Sequence, residues 1–152
     1  MTDIKRSAED NKKITEIYDE ALVKGMERLT PERIESVINK VLHKEAGARF
    51  RMYMKTCMHC GLCSEACHSY LSNDKDPHYS PAGKIKQTLW EMVKKKGKLS
   101  PQYMKKVAEI AHTDCNLCKR CSMYCPFGID IAFLMLMVRR ICHRLEMTPQ
   151  YI

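Results

Sequence analysis

The 152-residue sequence predicts an all-α fold assembled around two short cysteine runs. Three observations carry that expectation. Cys57, Cys60, Cys63 and Cys67 are spaced C-x2-C-x2-C-x3-C, and Cys115, Cys118, Cys121 and Cys125 repeat that spacing without change. The 47 residues between the runs carry the start and stop signals of two helices. Almost nothing along the chain alternates apolar and polar residues with the period of two that marks a half-buried strand.

In chain order, residues 1–49 hold no cysteine and read as a helical N-terminal extension, with 50–152 as the cysteine-bearing domain. Ser7 is a candidate cap for a first helix to about residue 25, striped by Ile14, Ile17, Ala21 and Leu22. Thr30 ahead of Pro31 marks a second helix to about residue 44, with Ile34, Val37, Ile38 and Val41 on one face, before Gly47 breaks the pattern. The extension reads equally as a helical pair packed on the rest of the chain or as a docking arm for a partner subunit. After the first run, residues 73–77 are turn-rich. Ser80 and Pro81 start a helix with an apolar face of Ile85, Leu89, Trp90 and Val93, stopped by Gly97. Ser100 and Pro101 start the next, faced by Tyr103, Val107, Ile110 and Ala111. Asp130 caps a last helix to about Met147, with Ile131, Leu134, Met135 and Val138 on its apolar face. Its density in Phe133, Leu136 and Met137 predicts a contribution to docking.

The spacing of the runs is that of [4Fe–4S] ligation, in which three thiolates at x2 spacing cap three corners of a cuboidal cluster. The fourth cysteine serves the other cluster in two-cluster proteins. One cluster is therefore expected on Cys57, Cys60, Cys63 and Cys125, and the other on Cys115, Cys118, Cys121 and Cys67. Pro126 follows the last cysteine as the motif has it, but His68 stands at the matching place in the first run. Zinc closes with two C-x2-C knuckles and four ligands, which leaves the third cysteine of each triple unexplained. Disulfides suit an exported chain, and the opening MTDIKRSAEDNKK has no apolar core of an export signal. A cytoplasmic setting is expected, or attachment to the cytoplasmic side of a membrane complex.

Other candidates receive supporting roles. His59 and His68 read as neighbours of clusters that already have four thiolates each. Gly61 is expected to let backbone approach the cluster closely. Lys119 and Arg120 should favour the more negative reduced state, and N–H donors to sulfur act the same way. Cys142 is left over as the ninth cysteine and reads as a buried, inert thiol. No triad, phosphate loop or paired catalytic carboxylates point to proton-transfer or nucleophilic chemistry. The formal charge of +8 falls to about +4 once each oxidised cluster, with its thiolates, adds about −2. The basic group Lys94, Lys95, Lys96 and Lys98 reads as a solvated helix end, not a nucleic-acid patch. No apolar stretch reaches membrane-spanning length. The nearest, 129–138, contains Asp130 and stops at Arg139 and Arg140. Cluster binding is expected to supply much of the folding free energy.

With both runs, the helical insert, the segment SPAGK (80–84) and the text CPFGIDI followed by Arg139, Arg140, Ile141, Cys142, His143 and Arg144 in view, the chain resembles the iron–sulfur dicluster domain of heterodisulfide-reductase-type proteins. These include the C subunit, the N-terminal part of the D-type fusion, and the K subunit of the membrane complex of dissimilatory sulfite reduction. The resemblance covers about residues 50–147 and implies a two-cluster α-helical ferredoxin fold, shared with the iron–sulfur subunits of succinate dehydrogenase and fumarate reductase. It implies an electron-transfer subunit of an oxidoreductase complex. Its implied protein partners are a CCG-type catalytic subunit and a flavin or cytochrome subunit, with no nucleic acid and any membrane reached only through a partner. The paired CCG motifs of the catalytic half are missing, since no two cysteines are adjacent here. The disulfide-reducing site is therefore expected on another polypeptide or on a continuation of this one. The rival expectation is a structural or nucleic-acid-binding metal protein, or a freely diffusing ferredoxin.

Overall fold

The computed structural model describes residues 20–149; the Ser7 cap and the Ile14 and Ile17 part of the first stripe lie outside the described residues. Among the described residues every regular element is helical, as expected. Helix α1 (20–27) buries Leu22 completely. It packs so closely on the far end of the chain that a Cβ on Gly25 would lie 2.9 Å from the Glu146 carbonyl oxygen. Helix α2 (Pro31–Asn39) starts where Thr30 and Pro31 predict, with Thr30 Oγ1 accepting from the Arg33 N–H at 3.3 Å. It continues through a π-helical turn, Lys40–Glu45, so that Ile34, Ile38, Val41 and Leu42 all face the core. The described part of the extension thus shares one apolar core with the cysteine-bearing part.

Gly47, at φ 51°, breaks the chain between this turn and α3 (Gly47–Thr56), a helix the sequence pattern does not announce. Its inward residues are Phe50, Tyr53 and Met54, and its C-terminus delivers Cys57. Short elements follow: a 3-10 turn (Leu62–Ser64), α4 (His68–Ser72) and a 3-10 turn (Pro77–Tyr79). Ser80 then caps α5 (Pro81–Ile85), which runs through a π-helical turn (Lys86–Trp90) into α6 (Glu91–Lys94). The buried stripe here is Lys84, Ile85, Thr88, Leu89 and Met92. Trp90 and Val93, expected on that face, stand at its edge and remain half-exposed, because each residue step turns the helix about 100°. Gly97 (φ 81°) ends the helix as expected, donating its N–H to the Met92 carbonyl at 2.8 Å.

Helix α7 (Pro101–His112) is capped by Ser100 and buries Met104, Val107, Ala108, Ile110 and Ala111. After the second cysteine run and α8 (Arg120–Met123) comes α9 (Ile131–Arg144). Eight of its fourteen residues are buried, more than one face can hold, so α9 is the central helix. Helix α7 lies along it, and α2, α5 and α8 also touch it. Met137 is buried and Phe133 packs on the core, which leaves Leu136 as the exposed member of that trio. The dense apolar stretch is therefore mostly core, with Leu136 alone of the three left open to a partner. The helix also ends at Arg144, short of Met147, because Glu146 takes a left-handed φ of 58°. Asp130 caps α9 as expected: its Oδ1 accepts from the Phe133 N–H at 3.0 Å and from Ser122 Oγ at 2.9 Å, tying α8 to α9.

Candidate metal centre

Each cysteine run folds as a loop with one short helical turn inside it, Leu62–Ser64 in the first and α8 in the second, and the two share a backbone pattern. Positive φ falls two residues after the first cysteine and one residue after the second: His59 (53°) and Gly61 (84°), then Leu117 (57°) and Lys119 (65°). Left-handed residues interleaved with right-handed ones gather successive N–H groups on the concave side of a loop, where they suit an anionic centre. Three of these four are not glycine, at roughly 1–2 kcal/mol each. A Cβ on Gly61 would meet no protein atom within 4 Å, so the need for glycine there is conformational as far as the protein's own atoms go.

The fourth cysteines are placed differently. Cys67 is the N-cap of α4, and the chain enters that helix at His68. Cys125 sits in a turn after α8, where the Gly128 N–H closes back on the Cys125 carbonyl at 3.1 Å. Pro126 lies inside this turn.

Side chains from the two runs are shared between two cavities. One is lined by Cys57, Cys60, Cys63 and Cys125, with Tyr53, Met54, Ile85, Trp90, Phe127 and Leu134 among its walls. The other is lined by Cys67, Cys115, Cys118 and Cys121, with Pro81, Leu117, Ala132 and Met135. Each cavity thus takes a triple from one run and the fourth cysteine of the other. Ile131 lines both, so the cavities are neighbours. The middle cysteine of each triple, Cys60 and Cys118, is exposed, whereas Cys63 is buried.

The donor set fits a cluster. Four thiols line each cavity, the number that holds one cuboidal cluster. Burial pushes the Cys121 thiol up to about 12, with Cys115, Cys63, Cys67 and Cys118 adding to the shift. Burial also raises Cys63, helped by Cys57 and Cys60. A cationic metal core held among these thiols would offset the burial and favour the thiolates.

The surroundings differ between the cavities. His59 lies 3.9 Å from Cys57 Sγ through Nδ1 and meets Trp90 edge-on at 6.3 Å. His68 and Lys119 line the second cavity. Two further cations, Lys84 in the second cavity and Arg139 beside Cys115, carry no site role in the sequence pattern. Lys84, from α5, places Nζ 3.8 Å from Cys67 Sγ and donates to the Asp114 carbonyl at 2.5 Å. Arg139, from α9, donates through Nε to the Ala111 carbonyl at 2.9 Å and through Nη2 to the Cys115 carbonyl. A lysine at i+3 from Pro81 and i−4 from Thr88 falls on a buried helical stripe, and that was the available signal for Lys84. Cys142 is fully buried, and burial pushes its thiol up to about 12, in keeping with an inert role.

The 4Fe-4S dicluster domain family matches residues 53–129, just over half of the chain and the part that carries both runs. The chain belongs to this family and carries two [4Fe–4S] clusters. Among curated proteins it is similar to the Hdr-like menaquinol oxidoreductase iron-sulfur subunit 2 of Archaeoglobus fulgidus, 28% identical over 124 residues. It is also similar to the Hdr-like menaquinol oxidoreductase iron-sulfur subunit of Archaeoglobus profundus, 27% identical over 120 residues. Each alignment covers 70% of this chain and 21% of the relative, so the chain spans about a fifth of the length of these proteins. Both names agree with the heterodisulfide-reductase-type resemblance drawn from the sequence. No solved structure gives a significant match.

Proposed function

We propose that the chain is the electron-transfer part of a heterodisulfide-reductase-like complex, taking electrons at one cluster and releasing them from the other. Cys57, Cys60, Cys63 and Cys125 hold the first cluster; Cys67, Cys115, Cys118 and Cys121 hold the second. Each cluster supplies reversible one-electron chemistry, while the chain sets separation, burial and hydrogen bonding. The observation that carries this reading is the pair of adjoining cavities, each lined by four thiols and both touching Ile131.

Cys60 and Cys118 are the exposed thiols of the two sets, so electrons would enter and leave on their side. Met58, Leu62, Met123, Tyr124 and Phe127 are exposed apolar side chains within or directly after the runs. They suit a protein redox partner: a CCG-type catalytic subunit on one side and a flavin or cytochrome subunit on the other. The names of the relatives add menaquinol oxidation as the process served. Among the described residues no helix is long and apolar enough to cross a membrane. The chain works in the cytoplasm or on the cytoplasmic side of a membrane complex, reaching the membrane through its partner. Within the extension 1–49, the described residues 20–49 brace the cluster-bearing domain, 50–152.

Anaerobic protein treated with a strong reductant should lose its broad absorption near roughly 400 nm, typical of iron–sulfur clusters, and regain it on reoxidation. The same preparation should not turn over a disulfide substrate. A colourless protein, or disulfide reduction by the single chain, would refute the relay.

A further inference from the structure

Lys84 is the single charged residue among the fully buried ones described, with 2% of its surface exposed. Taking an ammonium out of water is costly unless something compensates it. Its partners are the Asp114 carbonyl at 2.5 Å and the Cys67 sulfur at 3.8 Å. Asp114 lines the same cavity as Lys84. Gly83 fixes the position, because α5 passes so close to the preceding 3-10 turn that a Cβ there would lie 2.1 Å from the Pro77 carbonyl oxygen. The first cavity has no matching buried cation among its described lining. Its lysine, Lys86, is exposed and screened by solvent.

We propose that Lys84 makes the cluster held by Cys67, Cys115, Cys118 and Cys121 the higher-potential centre of the pair. The inference rests on the two-cluster relay. Uptake of one electron, with no proton, takes a four-thiolate cluster from about −2 to about −3. A fixed positive charge at a ligating sulfur stabilises the more negative state, and in a buried site that attraction is weakly screened. A hydrogen bond to the sulfur acts in the same direction. Electrons therefore settle on the second cluster, beside exposed Cys118, before leaving the chain.

The test is an anaerobic redox titration of the full chain, followed by electron paramagnetic resonance, for wild type, Lys84→Met and Lys84→Arg. Lys84→Met keeps the length of the side chain and removes its charge. At a fixed potential it should lower the reduced-to-oxidised ratio of the higher-potential cluster by about tenfold or more, about 59 mV for one electron. The lower wave should stay in place, and Lys84→Arg should restore most of the wild-type position. If Lys84→Met leaves both waves where they were, or moves only the lower one, the proposal is overturned. If that variant loads no second cluster, Cys60→Ser decides instead, because it alters the first cluster alone. The wave that keeps its wild-type position must then be the higher one, and the reverse overturns the proposal. A wild type without clusters would remove the relay together with this inference; clusters with unmoved potentials would remove the inference alone.

Discussion

Replacing Gly83 with alanine probes the contact that positions both Lys84 and the second cavity. The new Cβ would sit 2.1 Å from the Pro77 carbonyl oxygen, 2.8 Å from Ser80 Oγ and 3.3 Å from the His78 carbonyl oxygen. The nearest atom is backbone, so no flexible side chain can move aside, and α5 must back away from the turn by roughly 1 Å to restore an ordinary contact. Overpacking of this kind costs about 1–3 kcal/mol. The shift also strains the cap in which Ser80 Oγ accepts from the Gly83 N–H at 2.9 Å and donates to the Pro77 carbonyl at 2.7 Å, worth about 1 kcal/mol. Alanine returns about 1 kcal/mol through its better helix propensity. The net loss is about 2 kcal/mol, or roughly 4–8 °C in the thermal midpoint of a chain this size. Circular dichroism of anaerobic, cluster-loaded protein measures the midpoint, and visible absorption measures cluster retention. An unchanged or higher midpoint with both clusters retained would refute the reasoning.

Crossed ligation is tested from a variant with Cys57, Cys60 and Cys63 all changed to Ala that keeps one cluster. Adding Cys67→Ala should destroy the remaining cluster, while adding Cys125→Ala should spare it; the opposite result would assign each run its own cluster. His112 supplies a pH dependence. Burial, and then the charge of Arg139, hold its pKa down at about 4, and neither ring nitrogen has a partner among the described residues. The unfolded chain takes up this proton near the ordinary value of 6.5, so stability should fall as pH drops from about 6.5 toward 4. In urea titrations between pH 7 and 5.5, His112→Phe should show a shallower fall than wild type; identical slopes would contradict the assignment. Asp130→Ala removes a cap that also holds Ser122 and should lower stability by about 1–2 kcal/mol, read as an earlier urea midpoint, and an unmoved midpoint would count against that role.

Local chemistry was legible in the sequence. Thr30, Ser80, Ser100 and Asp130 cap their helices because capping depends on a side chain and the N–H two or three residues on. The cysteine runs were legible for the same reason, since their spacing is itself the loop that wraps a metal group. What stayed hidden depends on distant packing. Helix α3 has a mixed stripe that acquires meaning only against the core reached by Phe50 and Tyr53. Met137 could not be told from a docking residue until α9 proved central. Lys119 adopts the left-handed conformation that glycine has at position 61, and no composition rule announces a lysine there. Lys84 and Arg139 act on cysteines and carbonyls 17 to 30 residues away in sequence, distances over which no local pattern carries information.

The count of iron and acid-labile sulfide in the anaerobically purified chain bears most directly on the two-cluster reading. Two four-iron clusters on the eight cysteines require about eight irons and about eight sulfides per chain. One or two zinc ions with no sulfide would contradict the account.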